Sequence, residues 1–332
     1  MPNKNKTNKF GMYPAGVISF TSLDLARYSE IPDSIHSYHP QVVATLKNEN
    51  KYLAQACNPE QKFLLTEKSS LISREAGYIA NRLKRYQKIN FVNLHPYGLK
   101  DSLDLINPLL EQDRLAKYIM AGQSDTINRE WISIAKIYAS NYNTDLQADS
   151  IEANFDIHSY HSKIHSLTAV SEDSTNLFFL GESALGNYLN PARMLRNICD
   201  SMNCGDYLVV SQDIHKPNTE GFWIGNFINF LTPKDNFMVS KKFADDLSQD
   251  CPIDVIWEEK NDFRGVKFRV EIQEPLRFAG VDLKEKQKVD ILRYTMFSER
   301  ELKKMALSLD FKIIQIIYGD SMDTALFILE KI

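Results

Sequence analysis

The chain has 332 residues, 43% of them hydrophobic and 25% charged, enough for one large or two moderate soluble domains. Its 39 Lys and Arg against 43 Asp and Glu give a net charge of −4, which argues against a broad basic surface for nucleic acid or anionic membrane. No apolar run approaches the ~20 residues of a membrane span, and Cys57, Cys199, Cys204 and Cys251 lack paired zinc-site spacing, so they read as reduced thiols in a cytoplasmic protein.

The basic start, MPNKNKTNKFGMYPAG, has no apolar stretch behind it, so residues 1–9 read as a tail without a secretory signal. Residues 35–88 read as helical. HPQVVATLKNENKYLAQA has apolar residues at roughly helical spacing, and SSLISREAGYIANRLKRY has them more clearly, with Ser69 or Ser70 as its N-cap. Then the period changes. INFVNL is a short apolar strand ending at His95-Pro96-Tyr97-Gly98, and KDSLDLINPLLEQD is a helix interrupted by Pro108. LAKYIMAG is the second strand, and DTINREWISIAKIYASNY the second helix, with Asp125 as N-cap. DLQADSIEANF holds a third strand. NLFFLG is the fourth and DYLVVSQDI the fifth, with a helix over 192–203 between them. Strands alternating with helices predict right-handed crossovers and a mostly parallel, doubly wound α/β sheet.

After residue 216 the alternation stops. PIDVIWEEKNDFRGVKFRVEIQEP reads as an antiparallel hairpin around Asn261-Asp262. FSERELKKMALSLDF is a helix with Ser298 and Glu301 in capping-box positions, and KIIQIIYGDSMDTALFILEKI is two strands around Gly319-Asp320.

Five β-α units followed by a helix and a hairpin resemble the class I S-adenosylmethionine-dependent methyltransferases. Phe179-Leu180-Gly181, Gly186-Asn187, Pro191, Gly205-Asp206 and Asp213 resemble, over about 40 residues, the histidine-specific methyltransferases of ergothioneine biosynthesis. The resemblance implies a Rossmann-like methyltransferase domain over 63–215 and 298–332. It also implies an α+β accessory, substrate-binding domain from 10–62 and 216–297. It makes Asn187 a contact for the amino-acid part of a substrate, and places Gly181 and Glu182 in a loop shared by cofactor and substrate at the strands' carboxyl ends. A tight turn that needs Gly and Asn for positive φ accounts for the same residues.

The chain departs from that family's pattern at three points on the cofactor side and one on the substrate side. The turn after the first strand keeps only Gly98 of the family's glycines, and Pro96 removes an N–H donor. Where the family has a ribose-binding acid, Gly122 stands, with Asp125 three residues on. Where it has Asp-Phe for the adenine, this chain has Asn154-Phe155. Leu292 and Tyr294 lie near the Glu and Ser that hold imidazole in the family, which argues against histidine as substrate. Asp213 and Trp223, the latter in the aromatic segment GFWIGNFINFL, complete the substrate-side candidates, although aromatics at that spacing also read as interface core.

HSYHSKIH puts His158, His161 and His165 on one face if it is helical. Without an HExxH pattern this reads as a solvated face and not a metal site. Methylating an amine requires an unprotonated nitrogen, so His158 or His95 is the candidate base. The expected partners are S-adenosylmethionine and a small-molecule substrate of amino-acid type, as in secondary metabolism. Two alternatives stand beside methyl transfer. One is a retained fold without the cofactor, acting as a binding protein. The other is non-methylating use of the cofactor, such as cyclisation of its aminobutyrate arm.

Overall fold

In a computed structural model the residues described are 11–12, 18–19, 59–94, 99–122, 125–153, 155, 158–168, 171–181, 184–188, 190–215, 253–260, 263–278, 281–320 and 322–332. Two short strands, β1 (Gly11–Met12) and β2 (Ile18–Ser19), come first. The proposed helix over 39–56 lies outside the described residues.

Helix α1 spans Pro59–Arg82. Ser69 and Ser70 are therefore interior, not caps. The start signal is Pro59, whose fixed φ and missing N–H suit the first helical turn. The helix also begins four residues before the domain boundary placed at 63. Its buried stripe is Leu71, Ile72, Ala76, Ile79 and Ala80, a helical spacing continued by buried Leu83 just past its end. β3 (Lys88–Asn93) is buried from Ile89 onward. α2 (Leu99–Glu111) runs unbroken through Pro108. Pro108 denies one carbonyl its donor, and burial of Leu103, Leu105, Ile106, Leu109 and Leu110 outweighs that local loss.

β4 (Leu115–Gly122), α3 (Asp125–Ser140) and β5 (Gln147–Glu152) follow. α4 is short, His161–Leu167. It begins after His158, so the three histidines do not share a helix face. Tyr160 is held out of helical conformation, its N–H donating to Ser201 Oγ at 2.7 Å. β6 (Ser174–Leu180) leads through a 3-10 turn (Ala184–Asn187) to α5 (Pro191–Cys199). Asn190 caps α5, accepting from Arg193 N at 2.9 Å, and Pro191 stands at its first position. α5 stops at Cys199, short of 203; the turn behind it places Gly205 at φ +87. β7 is Tyr207–Asp213.

β8 (Ile253–Lys260), β9 (Phe263–Glu271), β10 (Leu276–Phe278), β11 (Val281–Leu283) and β12 (Lys288–Phe297) follow. α6 (Glu299–Leu307) is capped by Ser298, whose Oγ accepts from Glu301 N at 3.2 Å. β13 (Phe311–Tyr318) and β14 (Thr324–Lys331) close the chain.

The main sheet has the order β13-β14-β7-β6-β3-β4-β5. β3 to β7 are mutually parallel, β14 runs antiparallel to β7, and β13 antiparallel to β14. A reversed strand slotted between the fifth parallel strand and its predecessor in sequence is the class I methyltransferase arrangement, a Rossmann-like α/β fold. One apolar layer packs α1, α2 and α3 on one face; the other packs α4, α5 and α6 on the opposite face.

A second sheet, β1-β2-β12-β9-β8, contains the hairpin β8-β9, which therefore does not extend the main sheet. β12 ends at the carboxyl edge of the main sheet. There Phe297 O accepts from His215 N at 2.8 Å, and Ile214 bridges Phe297 in parallel.

Candidate functional site

The parallel strands all end on one edge, where the chain turns back into helices and leaves backbone and side-chain donors uncommitted to the ladder. At the end of β3, Asn93 is buried and its Nδ2 donates to the Tyr118 hydroxyl at 3.1 Å. Burial pushes the Tyr118 phenol up, while hydrogen bonds with Asn93 and Ser102 pull it down. Asp101 and Ser102, in the first turn of α2, are also buried. His95 and Gly98, candidates for base and cofactor contact, lie outside the described residues.

At the end of β4 stands Gly122. A Cβ there would sit 2.5 Å from Asn128 Oδ1. Asn128 is fully buried, and its Nδ2 donates to Gly122 O and Ile151 O, both at 3.1 Å, clamping β4 to β5. Its Oδ1 is buried without a protein donor. Gly122 thus serves packing: its absent side chain makes room for Asn128. Gly122→Ala should push the amide off at least one carbonyl. The expected loss is ~1–3 kcal/mol, the range for an overpacked core or an unmade buried hydrogen bond, read as a lower urea midpoint at unchanged slope.

Asp125 is the first residue of α3. It accepts from Ser150 Oγ at 2.8 Å and pairs with Arg129 at 2.6 Å. The hydrogen bond from Ser150, then Arg129, holds its carboxyl below the usual range against some desolvation. At the end of β5, Asn154 lies outside the described residues. Phe155 is 2% exposed and lies edge-on to Tyr160, with ring centres 5.2 Å apart. Its ring is a core element with no open face for stacking. His158 is exposed just beyond; the His161 and His165 rings stack on α4 at 5.7 Å. Among the described residues no group of three or more His, Cys, Asp or Glu is placed to hold a metal.

At the end of β6, a Cβ on Gly181 would lie 2.7 Å from Phe179 Cζ. Glu182 is outside the described residues. Gly186 is pressed against the second sheet: a Cβ there would stand 2.1 Å from Thr295 O and 3.1 Å from Thr295 N and C. Asn187 closes that turn, with its side chain outside the described part. At the end of β7, Gln212, Asp213 and His215 are all buried, and Asp213 is in register with Thr324. Gln212 Oε1 has no donor. Trp223 is not among the described residues; Tyr294 stands on β12 opposite Val266, its side chain outside the described part.

The described part of the edge thus brings together Asn93, Asp101, Ser102, Gly122, Asp125, Asn128, Gly181, Gly186 and Asp213. Sequence reasoning missed Asn93, Asp101, Ser102, Asn128 and Gln212. Their signal was a polar residue at an otherwise apolar strand end, or on the buried side of a helix's first turn.

No family model and no curated protein matches the sequence. Among solved structures, the glycopeptide N-methyltransferase MtfA complexed with sinefungin aligns with 77% of this chain and 85% of its own, at 8% identity and a TM-score of 0.38. A Burkholderia thailandensis 1,6-didemethyltoxoflavin-N1-methyltransferase, with bound 1,6-didemethyltoxoflavin and S-adenosylhomocysteine, aligns over 89% of both chains at 10% identity and 0.39. The CMeT domain of the citrinin polyketide synthase aligns with 82% of this chain and 57% of its own at 11% identity and 0.43. At such scores the fold rests on the strand order and not on these neighbours.

Proposed function

We propose that the protein binds S-adenosylmethionine and transfers its methyl group to a small amino-acid-like amine other than histidine, as a divergent relative of the histidine-specific methyltransferases. One observation carries the reading: the strand order with its reversed β14, capped at the carboxyl edge by a second sheet that abuts the turn after β6. This arrangement would offer a nucleoside-bearing cofactor the carboxyl edge of the strands and use the second sheet as a covering layer for substrate choice.

The described residues fit an adenosyl group in one testable respect. Asn128 Oδ1 is an orphaned buried acceptor beside Gly122, and a ribose carries hydroxyl donors. Asn128 and Asp125 would hold that end, with Asn93 and the first turn of α2 below the polar end. When bound, the cofactor supplies an electrophilic methyl on a sulfonium. The chain's own work is to orient the amine, exclude water and accept a proton, for which exposed His158 is the described candidate. The buried carboxylate Asp213 marks the substrate side.

Calorimetric titration of the full chain with S-adenosylmethionine and S-adenosylhomocysteine is the test. Saturable binding of both is expected, followed by a mass gain of one methyl on an amine from an amino-acid panel. A flat titration at millimolar cofactor would favour the reading in which the fold persists without it.

A further inference from the structure

At the opposite edge of the sheet, two reactive groups from distant parts of the chain meet. Cys199 ends α5 and is 2% exposed. Lys331 ends β14, with its side chain 11% exposed. Lys331 Nζ lies 3.0 Å from Cys199 Sγ. Neither backbone is free to drift. Lys331 N donates to Asp206 O at 2.9 Å and its carbonyl accepts from Gly205 N at 2.8 Å, while Cys199 O accepts from Met202 N at 3.1 Å. A lysine at a strand end ordinarily carries its ammonium out to water. This one turns inward to a sulfur, with the Asp310 carboxylate at 3.3 Å as a second contact.

We propose that Cys199 and Lys331 form an oxidative modification site, in which a peroxide joins the cysteine sulfur to the lysine nitrogen. The step balances. The thiolate form of Cys199 attacks hydrogen peroxide; an S–O bond forms, the O–O bond breaks, and a sulfenic acid and water result after protonation. Sulfur is oxidised by two electrons and the peroxide reduced by two. The Lys331 amine, its extra proton released to solvent, then attacks that sulfur. An S–N bond forms, the S–OH bond breaks, and a second water leaves. A sulfenic acid without a nearby nucleophile goes on to irreversible higher acids; here a nitrogen already touches the sulfur. The bond would tie α5 to the last strand across 132 residues of chain.

The test exposes the full-length protein to hydrogen peroxide, blocks free thiols and digests without reductant. Mass spectrometry should find the Cys199 and Lys331 peptides linked, at their summed mass less two hydrogens, and separated again by dithiothreitol. The link should persist in Cys204→Ser and vanish in Lys331→Arg and Cys199→Ser. The oxidised wild type should also melt higher than the reduced, because the link restricts the unfolded chain. If a variant does not fold, the linked wild-type peptide alone decides. A Cys199–Cys204 disulfide, a sulfinic or sulfonic Cys199 beside unmodified Lys331, or an unreacted Cys199 would each overturn the proposal. None of these readings depends on cofactor binding.

Discussion

Asp206→Ala is expected to destabilise the protein by about 3 kcal/mol or more, the summed cost of leaving three buried donors without their acceptor. Asp206 is 2% exposed and immediately precedes β7. Its carboxylate accepts from Asn176 N at 3.0 Å, from Asn176 Nδ2 at 3.0 and 3.1 Å, and from Asn203 N at 2.8 Å. Asn176 in turn accepts from Asn90 Nδ2 at 3.0 Å. The network therefore crosses β3, β6 and β7 inside the sheet. Alanine leaves two backbone N–H groups and an amide without acceptors, each costing ~1–3 kcal/mol when no water reaches it. The pH dependence has a definite sign. Burial pushes the Asp206 carboxyl up, against the hydrogen bonds from Asn176, Asn203 and Thr175, and the net shift is upward. A raised carboxyl favours the protonated folded form. Its contribution is fully present below the ordinary value of 3.8 and is lost as pH rises through the folded value. The gap in unfolding free energy between wild type and Asp206→Ala should thus be widest below 3.8 and narrow above it. Urea titrations at several pH values measure this; a gap that widens with pH would contradict the assignment.

The alternation of elements was legible because strands buried on both faces read as continuous apolar runs. LAKYIMAG coincides with β4, and the cap at Ser298 is where the sequence put it. What escaped was tertiary. The start of α1 was signalled by Pro59, ten residues ahead of Ser69, but a proline also marks turns and linkers, and only the packed helix decides between them. Nothing local tells that α2 tolerates Pro108, because that depends on how much apolar surface the helix buries. At the site, the glycines were legible as positions needing little space, but not what needed the space. Gly122 faces a side chain six residues on, and Gly186 faces a backbone in another sheet. Phe155 was chosen for its aromatic face, whereas the fold uses its bulk.

Gly186→Ala should be the most damaging single-methyl change at the candidate site. The added carbon would sit 2.1 Å from Thr295 O and 3.1 Å from Thr295 N and C. These are backbone atoms, so no rotamer change relieves the overlap. β12 cannot simply step back, because it is laddered to β9 from Lys288 to Phe297 and tied to the end of β7 through Phe297. The strain must therefore move the 3-10 turn itself. The loss should fall at or above the top of the ~1–3 kcal/mol range for overpacking, lowering the melting temperature by roughly 2–4 °C per kcal/mol. Thr295→Ser keeps the backbone oxygen and should change stability little, which separates backbone contact from side-chain contact. The functional consequence follows from the same geometry. The turn joins the end of β6 to α5 and carries Asn187. Displacing it should weaken S-adenosylhomocysteine binding by tenfold or more, about 1.4 kcal/mol, even at temperatures where the variant remains folded. Calorimetry on Gly186→Ala beside a thermal melt would test both parts. A variant that melts like wild type would mean that the turn and β12 are not in contact, and the second sheet would then have no hold on the site.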